Sequence, residues 1–155
     1  MSKYEAINGS ECITGLSDPQ DVLIEFYHAF NNQDLEQMEN NWLQSGDASM
    51  SNPLGGIKRS WSEIKPVYEK IFNGPAEVFV EFYDFSIHQT EGMFCAVGHE
   101  RGYFKLDETE IKLAIRTSRI YLKTKQQWQQ LHHHGSIDQA GLLADYQAIV
   151  LQKKV

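Results

Sequence analysis

The chain has 155 residues, and 14 Lys and Arg against 21 Asp and Glu give it a formal net charge of −7 at pH 7. This length suits one domain, and a 41% hydrophobic and 23% charged composition is typical of a globular protein rather than a disordered one. An acidic chain without a long basic run is a poor partner for nucleic acid.

Two helices are predicted first in the chain. Ser17-Asp18-Pro19 combines a capping side chain with a Pro suited to the first turn, and the helix that follows ends at Asn31-Asn32. Asp34 caps a second helix, with Gln37 as its reciprocal partner, and this helix ends at Ser45-Gly46. Apolar residues recur at helical spacing in both, as expected for helices that pack on a core.

A short strand over residues 48–51 is predicted next, followed by turn residues at 52–56. A third helix lies between Ser60 and Asn73, with Ser60 and Glu63 as a capping box. Pro66 falls inside this stretch, so the helix either kinks there or begins later, with Pro66 in its first turn.

The hydrophobic period changes after Ala76, where long segments rich in β-branched and aromatic residues begin. Short connections between them indicate antiparallel hairpins rather than crossover units. A last helix is predicted from Ser136. The chain is therefore expected to be one α+β domain with a curved antiparallel sheet packed against N-terminal helices and followed by a C-terminal helix. The four long strands are predicted at residues 77–88, 93–105, 110–123 and 127–134.

A row of ionisable side chains is predicted to cross the four long strands on one face. Counting from the turns places Asp84 opposite His99, His99 opposite Arg116, and Arg116 opposite His134. This face is expected to line a small-molecule cavity. The other face is apolar enough to require a partner, such as a second subunit.

The row suggests two kinds of site. Arg116 is a candidate anion clamp, while His99 and His134 are candidate general acid and base, with Asp84 orienting one of them. The alternative is a polar seam without turnover, in which Arg116 forms an ion pair with Asp84. Further candidate ligand contacts are Tyr27, Trp42, Asn52, Ser118 and His132.

Metal and redox sites receive little support. His132 and His134 lie two residues apart on a strand, and a zinc site would need a third ligand from His99 or Asp84. Cys12 and Cys95 are the only cysteines, too few for a disulfide framework. We expect neither a metal nor a cofactor. His133 should point to the face opposite its two neighbours, towards an interface or solvent.

Ser118-Arg119, Trp128, His132, His134 and Ser136 together resemble the final hairpin of the calcium/calmodulin-dependent kinase II association domain and its SnoaL-like relatives. Residues 26–34 and Asn52-Pro53-Leu54-Gly55 resemble the first helix and a turn of the same family, and the likeness covers about residues 18–138. This resemblance implies the nuclear-transport-factor-2-like cone, in which helices pack on a curved sheet around a cavity.

The resemblance leaves the activity open, because this superfamily includes isomerases, dehydratases, cyclases and assembly modules. Two departures bear on the chemistry. The general-base Asp of ketosteroid isomerases corresponds to Asn52 here, and the second acidic position of that family falls near Ser118. An Asn cannot accept a proton near neutral pH, so isomerase chemistry of that kind is not expected.

Two functions follow as expectations. The first is binding of a small anionic or carbonyl-bearing ligand in the cone, with or without cofactor-independent acid–base chemistry. The alternative is a non-catalytic oligomerisation module. We expect a cytoplasmic homodimer or larger homo-oligomer formed through the outer sheet face, with no membrane or nucleic-acid partner. Residues 1–16 are expected to be an arm, disordered or packed on a neighbouring subunit, before a domain at 17–155.

Overall fold

A computed structural model of the protein describes residues 3–125 and 127–151. Three helices and two short strands form the first half, and four long strands and a helix form the second half. In chain order the elements are α1 (Pro19–Asn31), α2 (Leu35–Asn41), β1 (Ser49–Ser51), β2 (Lys58–Arg59), α3 (Ser60–Phe72), β3 (Glu77–Gln89), β4 (Met93–Leu106), β5 (Thr109–Thr124), β6 (Gln127–Ile137) and α4 (Ala140–Leu151).

The first two helices begin where their capping residues predict. The Asp18 carboxylate accepts a hydrogen bond from the backbone N–H of Gln20 at 2.8 Å, and the Asp34 carboxylate accepts one from Gln37 at 3.0 Å. Each satisfies a donor that the first helical turn leaves free. Helix α2 ends at Asn41, earlier than predicted, because Trp42 leaves the helix to bridge with β6.

Helix α3 begins at Ser60 and contains Pro66 in its interior, so the alternative in which the helix begins later, with Pro66 in its first turn, is wrong. The predicted capping box of Ser60 and Glu63 does not form, because the N-cap is Arg59 and the Ser60 backbone N–H donates to Ala48 O at 2.7 Å. The Glu63 carboxylate accepts the backbone N–H of Arg59 at 2.6 Å, whereas the Ser60 hydroxyl bonds to that of Ser62.

The six strands form one curved sheet in the order β2-β1-β6-β5-β4-β3. The long strands pair antiparallel as predicted, while β1 pairs parallel with β6. Bulges interrupt the register between Tyr83 and Ser86 and between Ile120 and Tyr121, and such bulges strengthen sheet curvature. Strand β6 continues to Ile137, so the last helix begins at Ala140 and not at Ser136.

The N-terminal segment has a defined place from Lys3 onward. Ile7 and Phe82 exchange two backbone hydrogen bonds of 2.8 Å, so the segment extends the sheet at the edge of β3. The Tyr4 ring stacks on that of Phe85 with centroids 5.0 Å apart. Where it is described, from Lys3 onward, the arm packs on its own chain.

Helices α1, α2 and α3 cover the inner face of the sheet and form a core rich in aromatic residues. Strand alternation directs Phe94, Leu113 and Tyr121 towards these helices. Within the described residues, no helix combines the length and hydropathy needed to cross a membrane. Among the largest fully buried side chains is a charged one, Arg119.

Candidate active site

A cavity of about 460 Å³ lies inside the cone, between the inner face of the sheet and helices α3 and α4. Its floor is polar and buried, with Glu100, Arg119 and His133. Its rim is exposed and includes Lys58 and Lys70. The walls between floor and rim are mainly apolar, with Phe30, Val67, Ile71, Val78, Phe104 and Leu113 among the lining residues.

The Arg119 guanidinium is the centre of the floor and is only 2% exposed. It donates to Glu100 Oε1 at 2.8 Å, to the Tyr27 hydroxyl at 3.2 Å and to Gln130 Oε1 at 2.9 Å. It also lies 3.6 Å from the centroid of the Phe26 ring, a cation–π contact. These contacts fix its orientation with three of its five N–H groups, and the Tyr68 hydroxyl on the cavity lining is a further partner of the guanidinium.

Small residues on β4 make room for this arrangement. Arg119 pairs with Ala96, and the next inner position of β4 is Gly98, opposite Thr117. Glu100 follows on the same face of β4. Because Ala96 carries only a methyl group, Arg119 extends past it to reach Glu100. The space beside Gly98 is taken by Phe85 of β3, whose Cβ lies 2.5 Å from where a Cβ of residue 98 would stand.

A second layer of buried amides holds the floor in place. Gln130 Nε2 donates to Asn41 Oδ1 at 3.2 Å, and the Tyr121 hydroxyl donates to the same oxygen at 2.8 Å. Asn41 Nδ2 in turn donates to Glu25 at 2.8 Å, and burial raises the pKa of that carboxyl. This chain of bonds turns the Gln130 carbonyl towards Arg119.

His133 is a lining residue with unused hydrogen-bonding capacity. It is 8% exposed, and its Nδ1 has no hydrogen-bond partner among the described residues. Burial and then the positive charge of Arg119 hold the pKa of His133 well below its usual range, so the ring is neutral near pH 7. Tyr68 also lines the cavity, and burial raises its pKa to about 12, so its hydroxyl stays protonated.

The predicted row of ionisable residues forms only in part. His99 pairs with Arg116, as predicted, but Arg116 pairs with Ser136 and not with His134. The β5–β6 turn is tighter than we counted, and the bulge after Ile120 shifts the register further. The total shift is even, so His134 still shares a face with Arg116.

This row lies on the outer face of the sheet, so the prediction that it lines the cavity is wrong. Asp84 and Arg116 have side chains 61% and 62% exposed, and Asp84 occupies the β3 bulge, 3.6 Å from His99 Nδ1. Arg116 forms its ion pair with Asp138 at 3.1 Å and not with Asp84. The face was misassigned because the large apolar residues of β4 and β5 pack against the helices, not against a partner.

The residues of the row still lie close together on the outer face. Asp84, His99, Arg116, Ser118 and His134 border a shallow depression of about 390 Å³ on the outer face. A catalytic role for these residues stays a prediction. Within residues 3–125 and 127–151, no three His, Cys, Asp or Glu side chains are grouped to hold a metal ion.

The other predicted contacts separate in the structure. Asn52 does line the cavity, and its side-chain oxygen accepts the Leu54 backbone N–H at 3.0 Å. Tyr27 and Trp42 are fully buried in the core and not at the mouth. His132 Nδ1 lies 2.7 Å from the Ser49 hydroxyl, away from the cavity, and burial lowers the pKa of His132.

Three floor residues were missed as site residues: Glu100, Arg119 and His133. A signal for Arg119 exists in the sequence, because it alternates with Leu113, Ile115 and Tyr121 and so shares their buried face. A charged residue in such a series requires a buried partner. His133 does face away from its neighbours, as predicted, but into the cavity and not into solvent.

The sequence profile of the SnoaL-like domain matches residues 20–139. No curated protein matches the chain by sequence. Solved structures share its fold at identities that support the fold alone.

One similar structure is a candidate calcium/calmodulin-dependent protein kinase type II association domain from Thiobacillus denitrificans (TM-score 0.69, 18% identity, 83% of this chain and 100% of that one). Another is a candidate dehydratase of the NTF2-like family from Streptomyces avermitilis (0.70, 18%, 81% and 96%). A third is a ketosteroid isomerase-like protein from Erwinia carotovora atroseptica (0.65, 15%, 80% and 96%).

Proposed function

Because the chain belongs to the SnoaL-like domain family, whose fold here encloses a cavity, we propose that it binds a small organic molecule inside the cone. The ligand is mainly apolar and presents a carbonyl or similar oxygen to Arg119. Dehydratase-like and ketosteroid isomerase-like proteins share this fold, which fits acid–base chemistry on such a ligand.

The observation that carries this proposal is the buried guanidinium of Arg119 at the end of an apolar cavity. Glu100, Tyr27 and Gln130 hold it in one orientation with three of its five N–H groups, and we assign a remaining N–H to the ligand oxygen. A volume of about 460 Å³ is in the range of small-molecule sites.

The floor also supplies the groups that proton transfer requires. An N–H of Arg119 aimed at a carbonyl oxygen stabilises negative charge that develops there. His133 is neutral and lines the same cavity, so its imidazole is the candidate base, in place of the outer-face His99 and His134. Glu100 is a positioning residue that holds Arg119. Proton abstraction next to a carbonyl, as in isomerisation or dehydration, is the reaction class that these groups support.

Calorimetric titration with 4-phenyl-2-butanone, an apolar ketone, tests the site. We expect saturable binding that Val67→Trp weakens about tenfold or more, since the larger ring fills the cavity. The matched control is Arg116→Ala, on the outer face, which should bind as the wild type does.

Ile71→Phe is a second cavity-filling variant should Val67→Trp not fold. If the ketone still bound to Val67→Trp and Ile71→Phe but not to Arg116→Ala, the binding site would be the outer depression and the proposal would be overturned. No binding of the ketone to the wild type would also count against it.

A second candidate function is assembly through the outer sheet face. Val97 and Met93 are 44% and 42% exposed, and this face carries both Asp84 and Arg116. A two-fold axis through such a face brings opposite charges together, so a second copy of the chain is the proposed partner. Sedimentation is expected to show a dimer or larger ring that Val97→Asp dissociates. A wild-type monomer at high concentration would contradict it.

A further inference from the structure

The floor of the cavity is electrically balanced. Arg119 is paired with Glu100 at 2.8 Å, His133 is neutral near pH 7, and the Tyr68 hydroxyl stays protonated. An anionic group placed beside them would leave one buried negative charge without compensation, which is costly. The floor therefore favours an uncharged oxygen, such as that of a ketone or an alcohol, over a carboxylate.

The rim has the opposite character. Lys58 on β2 and Lys70 near the end of α3 both line the cavity at exposed positions, separated by about 15 Å of helix at 1.5 Å per residue. Within the described residues neither forms an ion pair. Glu63 is also there, but its Oε2 already accepts the Arg59 backbone N–H at 2.6 Å. Two cations against one carboxylate make this rim basic on a chain whose net charge is −7.

Apolar walls separate the two ends. Phe30, Val67 and Ile71 lie on the helical side, and Val78, Phe104 and Leu113 lie on the sheet. A ligand that satisfies all three zones has an anion at one end, a hydrocarbon middle and a neutral oxygen at the other end. A simple fatty acid lacks the last group, and a simple ketone lacks the first.

We propose that the ligand is an oxo or hydroxy carboxylic acid, with its carboxylate at one of the rim lysines, Lys58 or Lys70, and its carbonyl or hydroxyl oxygen at Arg119 and His133. This inference rests on the proposed function and adds the substrate class and the direction of binding. The carboxylate is remote from the reacting carbon, so its contact with the rim orients the group that the floor acts upon.

A matched set of four probes tests the direction by calorimetric titration: 6-oxoheptanoate, its methyl ester, heptanoate and 2-heptanone. The oxo acid should bind most tightly. The methyl ester and 2-heptanone, which lack the carboxylate, and heptanoate, which lacks the ketone oxygen, should each bind roughly fivefold more weakly. This is the order expected for a partly exposed ion pair or one hydrogen bond. Added salt should weaken the binding of the oxo acid but not that of the methyl ester.

Variants at the rim separate a ligand contact from a structural role. Lys58→Gln/Lys70→Gln should reduce the affinity for 6-oxoheptanoate to that for its methyl ester, and leave the ester unchanged. The control Lys112→Gln/Lys125→Gln removes the same charge at exposed positions outside the cavity lining, and should change neither.

Three results would overturn the inference. The ester binding as tightly as the oxo acid would leave the proposed function standing and remove the rim contact. Equal losses for acid and ester in the lysine variant would show that the lysines act on the fold. No binding of any of the four probes to the wild type, with 4-phenyl-2-butanone still bound, would reject this substrate class alone, whereas failure of the ketone as well would reject both proposals.

Discussion

Replacing Arg119 by Met is expected to lower the free energy of unfolding by about 3–5 kcal/mol, the usual effect of breaking a buried ion pair. The structure explains a value in this range. The substitution leaves the Glu100 carboxylate buried without its cation, and it removes the donors to Tyr27 and Gln130. Met retains much of the apolar volume, so the loss is mainly electrostatic.

A double variant isolates the pair. In Arg119→Met/Glu100→Gln the buried carboxylate is also removed, so a large part of the loss should be recovered. For a chain of this size each kcal/mol shifts the melting temperature by about 2–4 °C, so the single variant should melt roughly 6–20 °C lower. Urea unfolding of wild type, both single variants and the double variant completes the cycle.

Arg116→Met is the matched control for this cycle. Its ion pair with Asp138 is on the outer face with the Arg side chain 62% exposed, so we expect a change of at most about 1 kcal/mol. The reasoning would be refuted if Arg119→Met cost no more than Arg116→Met. It would also be refuted if the losses at Arg119 and Glu100 were additive, because then the two side chains would not interact.

Three further predictions concern single positions. Gly102→Ala would place a Cβ 1.8 Å from the Phe79 carbonyl oxygen, so a loss of about 1–3 kcal/mol is expected by urea unfolding, whereas Gly92→Ala, with open space around it, should change stability by under about 0.5 kcal/mol. His133→Leu should reduce the loss of stability between pH 7 and pH 5. In the wild type, His133 of the unfolded chain binds a proton below about pH 6.5, whereas the buried ring of the folded protein does not. The free energy of unfolding therefore decreases as the pH is lowered, by at most about 1.4 kcal/mol per pH unit. Asp18→Ala should cost about 1 kcal/mol in the same assay, because it removes the cap of α1; an unchanged midpoint would contradict this.

The elements were predictable from the sequence because their signals are local. The third strand, β3, was predicted at residues 77–88 and spans Glu77–Gln89, and α1 begins at Pro19 after the predicted cap. Periodicity and capping depend on neighbouring residues alone. Strand β2 was missed because two residues carry no period, and its pairing with β1 is a tertiary contact.

The site was harder to predict because it depends on which face of the sheet meets the helices. The outer row from Asp84 to Arg116 carries polar side chains, as the floor of the cavity does, so polarity alone does not distinguish the two faces. Counting residues from the turns shows which residues share a face but not which face the helices cover. The bulges between Tyr83 and Ser86 and after Ile120 also cannot be predicted from the turn residues. The residues on alternate positions offered a test, because those that alternate with Arg119 include the large apolar Leu113, Ile115 and Tyr121, whereas the nearest ones to Arg116 are Ala114 and Ser118.

Burying the charged groups of the floor costs desolvation free energy, and a purely structural role does not explain this cost. A buried pair such as Arg119 and Glu100 is often no more stabilising than well-packed apolar residues of the same size. Here the pair is held by Gln130 and Asn41, and it stands beside His133, whose Nδ1 has no partner among the described residues. Polar groups arranged in this way are useful when a ligand completes their hydrogen bonds. Arg119→Met/Glu100→Gln should therefore recover stability without recovering ketone binding, and recovery of both would show that the pair serves the fold alone.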